Sequence, residues 1–242
     1  MGLHPEIAAV IAGESEGCIV TGDCLEIMAD MPDGCVDAVV TDPPYGIAIE
    51  SHGQNFLGAR TIAGDGDTAL LEWTWAWAKS MGCPLVMFFS PYRPVGEWRS
   101  VLVWAKGAHV GGGGDIKTCW KRDLELIGVV RNHALNGPRD SSVLRFNALL
   151  PPPTGHVAEK PVPLMTYLIG KTSSPGDIIV DPFCGSGTTC VAAKKLGRRW
   201  IGIELDERYA EIARNRVAST PRPLFAETKE SKPKAPQLFG TS

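Results

Sequence analysis

Short runs of aliphatic and β-branched residues alternate with amphipathic stretches along most of the chain, the pattern of a parallel α/β sheet with helices packed on it. The apolar runs predict strands at Cys18 to Val20, Val36 to Thr41, Leu85 to Phe89, Ser100 to Trp104, Ile178 to Asp181 and Trp200 to Glu204. Helical spacing between them predicts helices at Leu25 to Met31, Thr68 to Met81, Pro163 to Lys171, Thr188 to Leu196 and Glu207 to Val217, each closed by nearby glycine or proline. Gly46 to Gly66 and Gly107 to Thr154 break the rhythm and read as loops or insertions; the second opens near Gly111 to Gly114 and closes at Pro151 to Pro153. From Ala218 onward, prolines and lysines with few large apolar residues predict a flexible tail over 218–242.

Composition narrows the picture without changing it. A chain of 242 residues with 44% hydrophobic and 21% charged residues suits one sizeable domain carrying a small insertion. No apolar run approaches the length of a membrane span, and Met1 to Ile11 lacks a basic region followed by an apolar core, so a cytoplasmic protein without membrane contact is expected. The seven cysteines are scattered without a C-x-x-C pair, which predicts reduced, mostly buried thiols and no metal. Net charge is −3, yet Arg93 to Arg145 holds nine basic against five acidic residues. That local excess suits phosphate contact by one face, or a solvated loop of mixed charge.

Two segments carry chemistry. Thr41-Asp42-Pro43-Pro44-Tyr45-Gly46 follows a predicted strand directly. Consecutive prolines end the ladder and restrict the backbone, leaving a carboxylate, carbonyl oxygens and an aromatic ring over the sheet edge. An exocyclic amino group on a base is a poor nucleophile, because its lone pair is delocalised into the ring. Asp42 and the Pro43 carbonyl could each accept one of its protons while Tyr45 stacks on the base, which is acceptor chemistry without a metal. Alone, the tetrapeptide could also be a strand-ending turn with incidental side chains.

In the second segment, Asp177 to Asp181 runs into Pro182-Phe183-Cys184-Gly185-Ser186-Gly187 and then a helix starting at Thr188. Glycines in that turn let backbone N–H groups approach a ligand. Glu204 ends the next strand, where an acidic side chain can bind ribose hydroxyls. A dinucleotide fingerprint would need a third glycine where Cys190 stands, so a nucleoside cofactor fits better than a nicotinamide dinucleotide.

Together these segments resemble the β-class amino-methyltransferases of DNA, in which the catalytic tetrapeptide precedes the glycine motif. The resemblance spans Cys18 to Val217. It implies a Rossmann-like S-adenosylmethionine-dependent methyltransferase fold with permuted motif order, over residues 1–217, and double-stranded DNA as partner. It implies Asp42, Pro43, Pro44 and Tyr45 as the catalytic motif, and a cofactor site from Asp181, Phe183, Gly185, Gly187 and Thr188. Glu204 and Leu205 would face the ribose, and Asp23 with Cys24 the adenine; Asp23 could equally cap the following helix, and both roles are compatible. His156-Val-Ala-Glu-Lys160-Pro161 resembles the family's H-P-x-x-K-P element, with Val157 in place of proline, so that His156 and Lys160 would close the methionine end of the cofactor pocket.

By the same resemblance, an insertion at about 107–153 stands in the place of target recognition, with Lys117, Lys121, Arg122, Arg131, Arg139 and Arg145 as DNA contacts, beside Asn132 and Asn136. Its small size suggests a short target sequence or help from a second subunit, as in a homodimer. Arg93 and Arg99 could bind phosphate or cap a helix, and Trp73, Trp75 and Trp77 read as packing on one helix. Asp at the head of the tetrapeptide favours N6 of adenine over N4 of cytosine. A non-catalytic DNA-binding protein is the reading from another class.

Overall fold

A computed structural model of the chain describes residues 2–44, 68–91, 94–107, 121, 123–130, 135–149, 154 and 159–222. Its elements are α1 (Pro5–Ala12), β1 (Gly17–Thr21), α2 (Cys24–Ala29), β2 (Ala38–Thr41), α3 (Ala69–Ser80), β3 (Leu85–Phe89), β4 (Ser100–Ala105), β5 (Leu124–Val130), β6 (Val143–Arg145), α4 (Val162–Thr172), β7 (Ile178–Asp181), α5 (Thr188–Lys195), β8 (Arg199–Glu204) and α6 (Glu207–Ser219).

Among the described residues the strands form one eight-stranded sheet in the order β1-β8-β7-β2-β3-β5-β4-β6. Strands β1, β8, β7, β2 and β3 run parallel, and β5 is antiparallel to both of its neighbours, β3 and β4. Every residue of β2, β3 and β7 is buried, as expected for central strands covered on both faces. Alternation sorts their side chains: Ala38, Val40, Val86, Phe88 and Ile179 meet α4, α5 and α6 on one face. On the other face α1 and α2 pack on Val20, Val180 and Ile203, and α3 packs on Val39, Leu85 and Met87. Burying each such aliphatic side chain contributes roughly 1.5–3 kcal/mol, so the sheet with its two helical layers is where the core sits. Trp73 and Trp77 stack at 6.3 Å on α3, half-buried, and serve this packing.

Helix starts follow local chemistry. Asp23 accepts from the backbone N–H of Leu25 at 2.8 Å and Asp206 from that of Arg208 at 2.9 Å, which satisfies free donors at the first turns of α2 and α6. Pro5 opens α1, a helix the sequence reading left out.

One structural expectation needs correction. The stretch from Gly107 to Thr154 is not a single loop: it contains β5 and β6, and β5 sits inside the sheet between β3 and β4. Gly46 to Gly66, Tyr45 and 223–242 lie outside the described residues.

Candidate active site

Because β1, β8, β7 and β2 are parallel neighbours, the segments that follow them leave from the same edge of the sheet. That edge, at the carboxyl ends of the strands, is where open α/β sheets bind ligands. Asp42-Pro43-Pro44 follows β2, the turn 182–187 follows β7, Glu204 ends β8 and Asp23 follows β1. The hydroxyl of Thr41 donates to Asp181 at 2.6 Å, tying the ends of β2 and β7 together.

Asp181 is buried, and burial pushes its carboxyl up to about 6 against the hydrogen bonds from Thr189, Thr41 and the Phe183 N–H. In the turn, Gly187 has φ +82°, and a Cβ there would lie 2.7 Å from Ala213 Cβ of α6. Only glycine lets the turn lie this close to α6. Gly185, at φ +50°, donates its N–H to Glu204 Oε2 at 2.8 Å, while Asp206 N–H reaches Glu204 Oε1 at 2.9 Å. The Leu205 N–H adds a third backbone hydrogen bond to this carboxylate, which still has acceptor capacity for a hydroxyl donor. Burial raises the Glu204 carboxyl above its ordinary range. Leu205 beside it is 58% exposed, an apolar surface at the same edge. Phe183 is half-buried, and Thr188 begins α5. Cys24 opens α2, with its thiol raised by burial to about 12, which makes it a small apolar group rather than a nucleophile.

Lys160 is almost completely buried, and its ammonium pairs with Asp42 and lies 3.1 Å from Glu125 of β5. Burial alone would lower its pKa; the two carboxylates outweigh this and raise it to about 12. Burial likewise opposes ionisation of Glu125, and Lys160 and Lys106 overcome it, holding that carboxyl below its ordinary range. The sequence resemblance sets Lys160 at the methionine end of the cofactor pocket; in the structure its ammonium pairs with the acidic residue of the tetrapeptide, a contact the sequence did not announce.

Sequence reading also missed a clamp on the glycine turn. Arg216 of α6 donates to the Ser186 carbonyl at 2.7 Å and hydroxyl at 2.9 Å, and pairs with Glu159 at 2.8 Å. The Glu159 side chain is fully buried and also accepts from the Thr154 hydroxyl at 2.5 Å. Nothing local in the sequence announces Arg216, since its partners lie 30 and 57 positions away.

Tyr45, His156, Lys117, Arg122 and Arg131 lie outside the described residues. Lys121, Arg139 and Arg145 are exposed, on the side of the sheet that carries β4, β5 and β6. Asn136 is engaged elsewhere: its amide donates to the carbonyls of Gly170 at 3.0 Å and Ser173 at 2.5 Å, closing the end of α4. Among the described residues no cluster of His, Cys, Asp and Glu could hold a metal ion. Nor is any described helix long and apolar enough to cross a membrane.

Comparison with known proteins gives the family of the chain. Residues 98–215 match the family model of N6/N4 DNA methylases. YubD of Escherichia coli (strain K12), which carries the name of a methylase, is 31% identical over 229 residues, covering 85% of this chain and 92% of YubD. A more local match, 50% identical over 62 residues, is to the type II methyltransferase M2.DpnII of Streptococcus pneumoniae, of which it covers 23%. The crystal structure of the M1.HpyAVI–S-adenosylmethionine complex superposes with a TM-score of 0.61 at 27% identity, over 83% of this chain and 99% of that one. The cytosine-N4-specific PvuII DNA methyltransferase shares the fold, with a TM-score of 0.62 at 17% identity over 84% of this chain and 86% of that one. The chain therefore belongs to the N6/N4 family of S-adenosylmethionine-dependent DNA methyltransferases.

Proposed function

We propose that the protein methylates an exocyclic amino group in double-stranded DNA, with N6 of adenine as the target and Asp42 as the group that receives it. The observation that carries this reading is the Asp42 carboxylate, held by buried Lys160 beside the glycine turn of β7. An Asp-led tetrapeptide supports adenine over cytosine by resemblance. The shared fold with a cytosine-N4 enzyme at 17% identity does not discriminate between them.

The residues present fit the cofactor. A glycine turn whose Gly185 N–H is bonded to Glu204, a glutamate with acceptor capacity left and an exposed Leu205 stand at one edge. In this reading the backbone of 183–187 with Thr188 and Asp181 holds the methionine portion, Glu204 with Leu205 the ribose, and Asp23 with Cys24 the adenine. When bound, S-adenosylmethionine supplies a methyl group activated by its positively charged sulfur.

The chain's own residues then prepare the nucleophile. The target base leaves the duplex, since its amino nitrogen cannot reach a recessed methyl donor while stacked. Asp42 and the Pro43 carbonyl accept its two N–H protons as hydrogen bonds, which draws the lone pair out of the ring and onto nitrogen. Pro44 keeps the turn rigid and Tyr45 stacks on the base. Lys160 holds its charge across the working pH range, so its ammonium keeps Asp42 oriented. Most of the rate enhancement comes from preorganised acceptors and positioning. Lys117, Lys121, Arg122, Arg131, Arg139 and Arg145 would contact DNA, with His156 beside the cofactor, in the cytoplasm.

Incubation with duplex DNA and methyl-tritiated S-adenosylmethionine, followed by digestion to nucleosides and chromatography, tests the assignment. The label should run with N6-methyldeoxyadenosine. Label in N4-methyldeoxycytidine would correct the base, and unlabelled DNA would overturn the activity.

A further inference from the structure

Behind Asp42 the structure aligns four side chains of alternating charge. Lys160 bridges Asp42 and Glu125, and Glu125 pairs in turn with Lys106 at 2.5 Å. The row lies on an aromatic floor. Lys160 sits 5.0 Å from the ring centre of Phe88 and Lys106 5.4 Å from that of Trp104, and the two rings meet edge to face at 6.2 Å. Glu125 is the register partner of Trp104 across β4 and β5, which sets its carboxylate between the two ammonium groups. Ring faces attract cations, and an apolar floor limits competing water, so these pairs are stronger than exposed ones.

The stoichiometry of the row has a consequence. A single buried ammonium facing Asp42 alone would concentrate its attraction on one carboxylate. A second carboxylate on the same ammonium divides that attraction and fixes the lysine from the opposite side. Lys106 compensates Glu125, which would otherwise be a buried anion in excess. Lys106 also donates its backbone N–H to the Asp123 carbonyl at 2.8 Å. The row thus runs from Lys106 to the tetrapeptide.

We infer that Glu125, backed by Lys106, is a positioning residue for methyl transfer: it holds Lys160 in place and, through Lys160, orients the Asp42 carboxylate toward the base. This rests on the reading of Asp42 given above. In this inference Glu125 acts through Lys160.

Three variants test it. Glu125→Gln should lower kcat about tenfold or more, roughly 1.4 kcal/mol of barrier, while KM and the calorimetric Kd for S-adenosylmethionine stay near wild type even though the melting temperature falls with loss of a buried ion pair. Lys160→Met should lower kcat further, and adding Glu125→Gln to it should cost nothing more, because residues acting in series do not add. If Glu125→Gln does not fold, the charge-neutral pair Lys106→Met with Glu125→Met answers the same question and should show the same kcat loss. A folded Glu125 variant with wild-type kcat, multiplicative losses in the cycle, or a parallel loss of cofactor affinity would each overturn the inference. A wild-type protein that transfers no methyl to DNA would instead sink the reading of Asp42, a separate result.

Discussion

The Thr41 hydroxyl and the Asp181 carboxylate, 140 positions apart, meet at 2.6 Å inside the core. One residue ends β2 and precedes Asp42; the other ends β7 and precedes the glycine turn. This buried hydrogen bond continues the β2–β7 ladder to the points where the segment proposed to hold the base and the segment proposed to hold the cofactor begin.

Asp181 makes that contact sensitive to acid and base in a defined direction. Its folded carboxyl titrates at about 6 against 3.8 ordinarily, so the native state binds the proton more tightly than the unfolded chain. This group's contribution to stability is fully present below about pH 4 and is lost as pH rises towards 6, by on the order of 3 kcal/mol. Asp181→Asn should flatten the wild-type dependence of melting temperature on pH across that window. An unchanged slope would contradict a buried, proton-retaining Asp181.

Gly187→Ala should disturb the turn itself. The substitution forces a side chain into a left-handed conformation and against Ala213, 2.7 Å away, costing about 1–3 kcal/mol. Urea denaturation should report the loss, and calorimetry should show weaker S-adenosylmethionine binding. Wild-type affinity in this variant would argue that the turn does not hold the cofactor.

Arg216→Ala should destabilise more than its partial exposure suggests, because it strands the buried Glu159 carboxylate. Breaking such a pair typically costs about 3–5 kcal/mol. Combining Glu159→Gln with Arg216→Met should recover much of that stability while still loosening the turn through loss of the Ser186 contacts. Thermal melts separate the two effects, and equal destabilisation by the single and double variants would refute the pairing.

What the sequence made legible follows from the range of each interaction. Strands such as Ile178–Asp181 and Leu85–Phe89 are wholly buried, so their apolar runs are unbroken and readable. The tetrapeptide and the glycine turn are contiguous, so each could be located in the sequence at the end of its strand. Strand β5 escaped because its residues mix the charged Glu125 with apolar positions inside a stretch rich in charge and glycine. Strand β6 is three residues long and leaves almost no periodic signal. Lys160 could be seen only as part of a local element, since its partner Asp42 lies 118 positions away and the fold alone brings them together.

Substitution of the carboxylate at the tetrapeptide separates chemistry from binding. Asp42→Ala and Asp42→Asn should reduce methyl transfer to duplex DNA by about a hundredfold or more, at least 2.7 kcal/mol of barrier by analogy with loss of a single preorganised polar group. Calorimetry on the same proteins should show S-adenosylmethionine binding close to wild type. Substantial transfer by either variant would contradict the role given to Asp42, whatever the cofactor affinity.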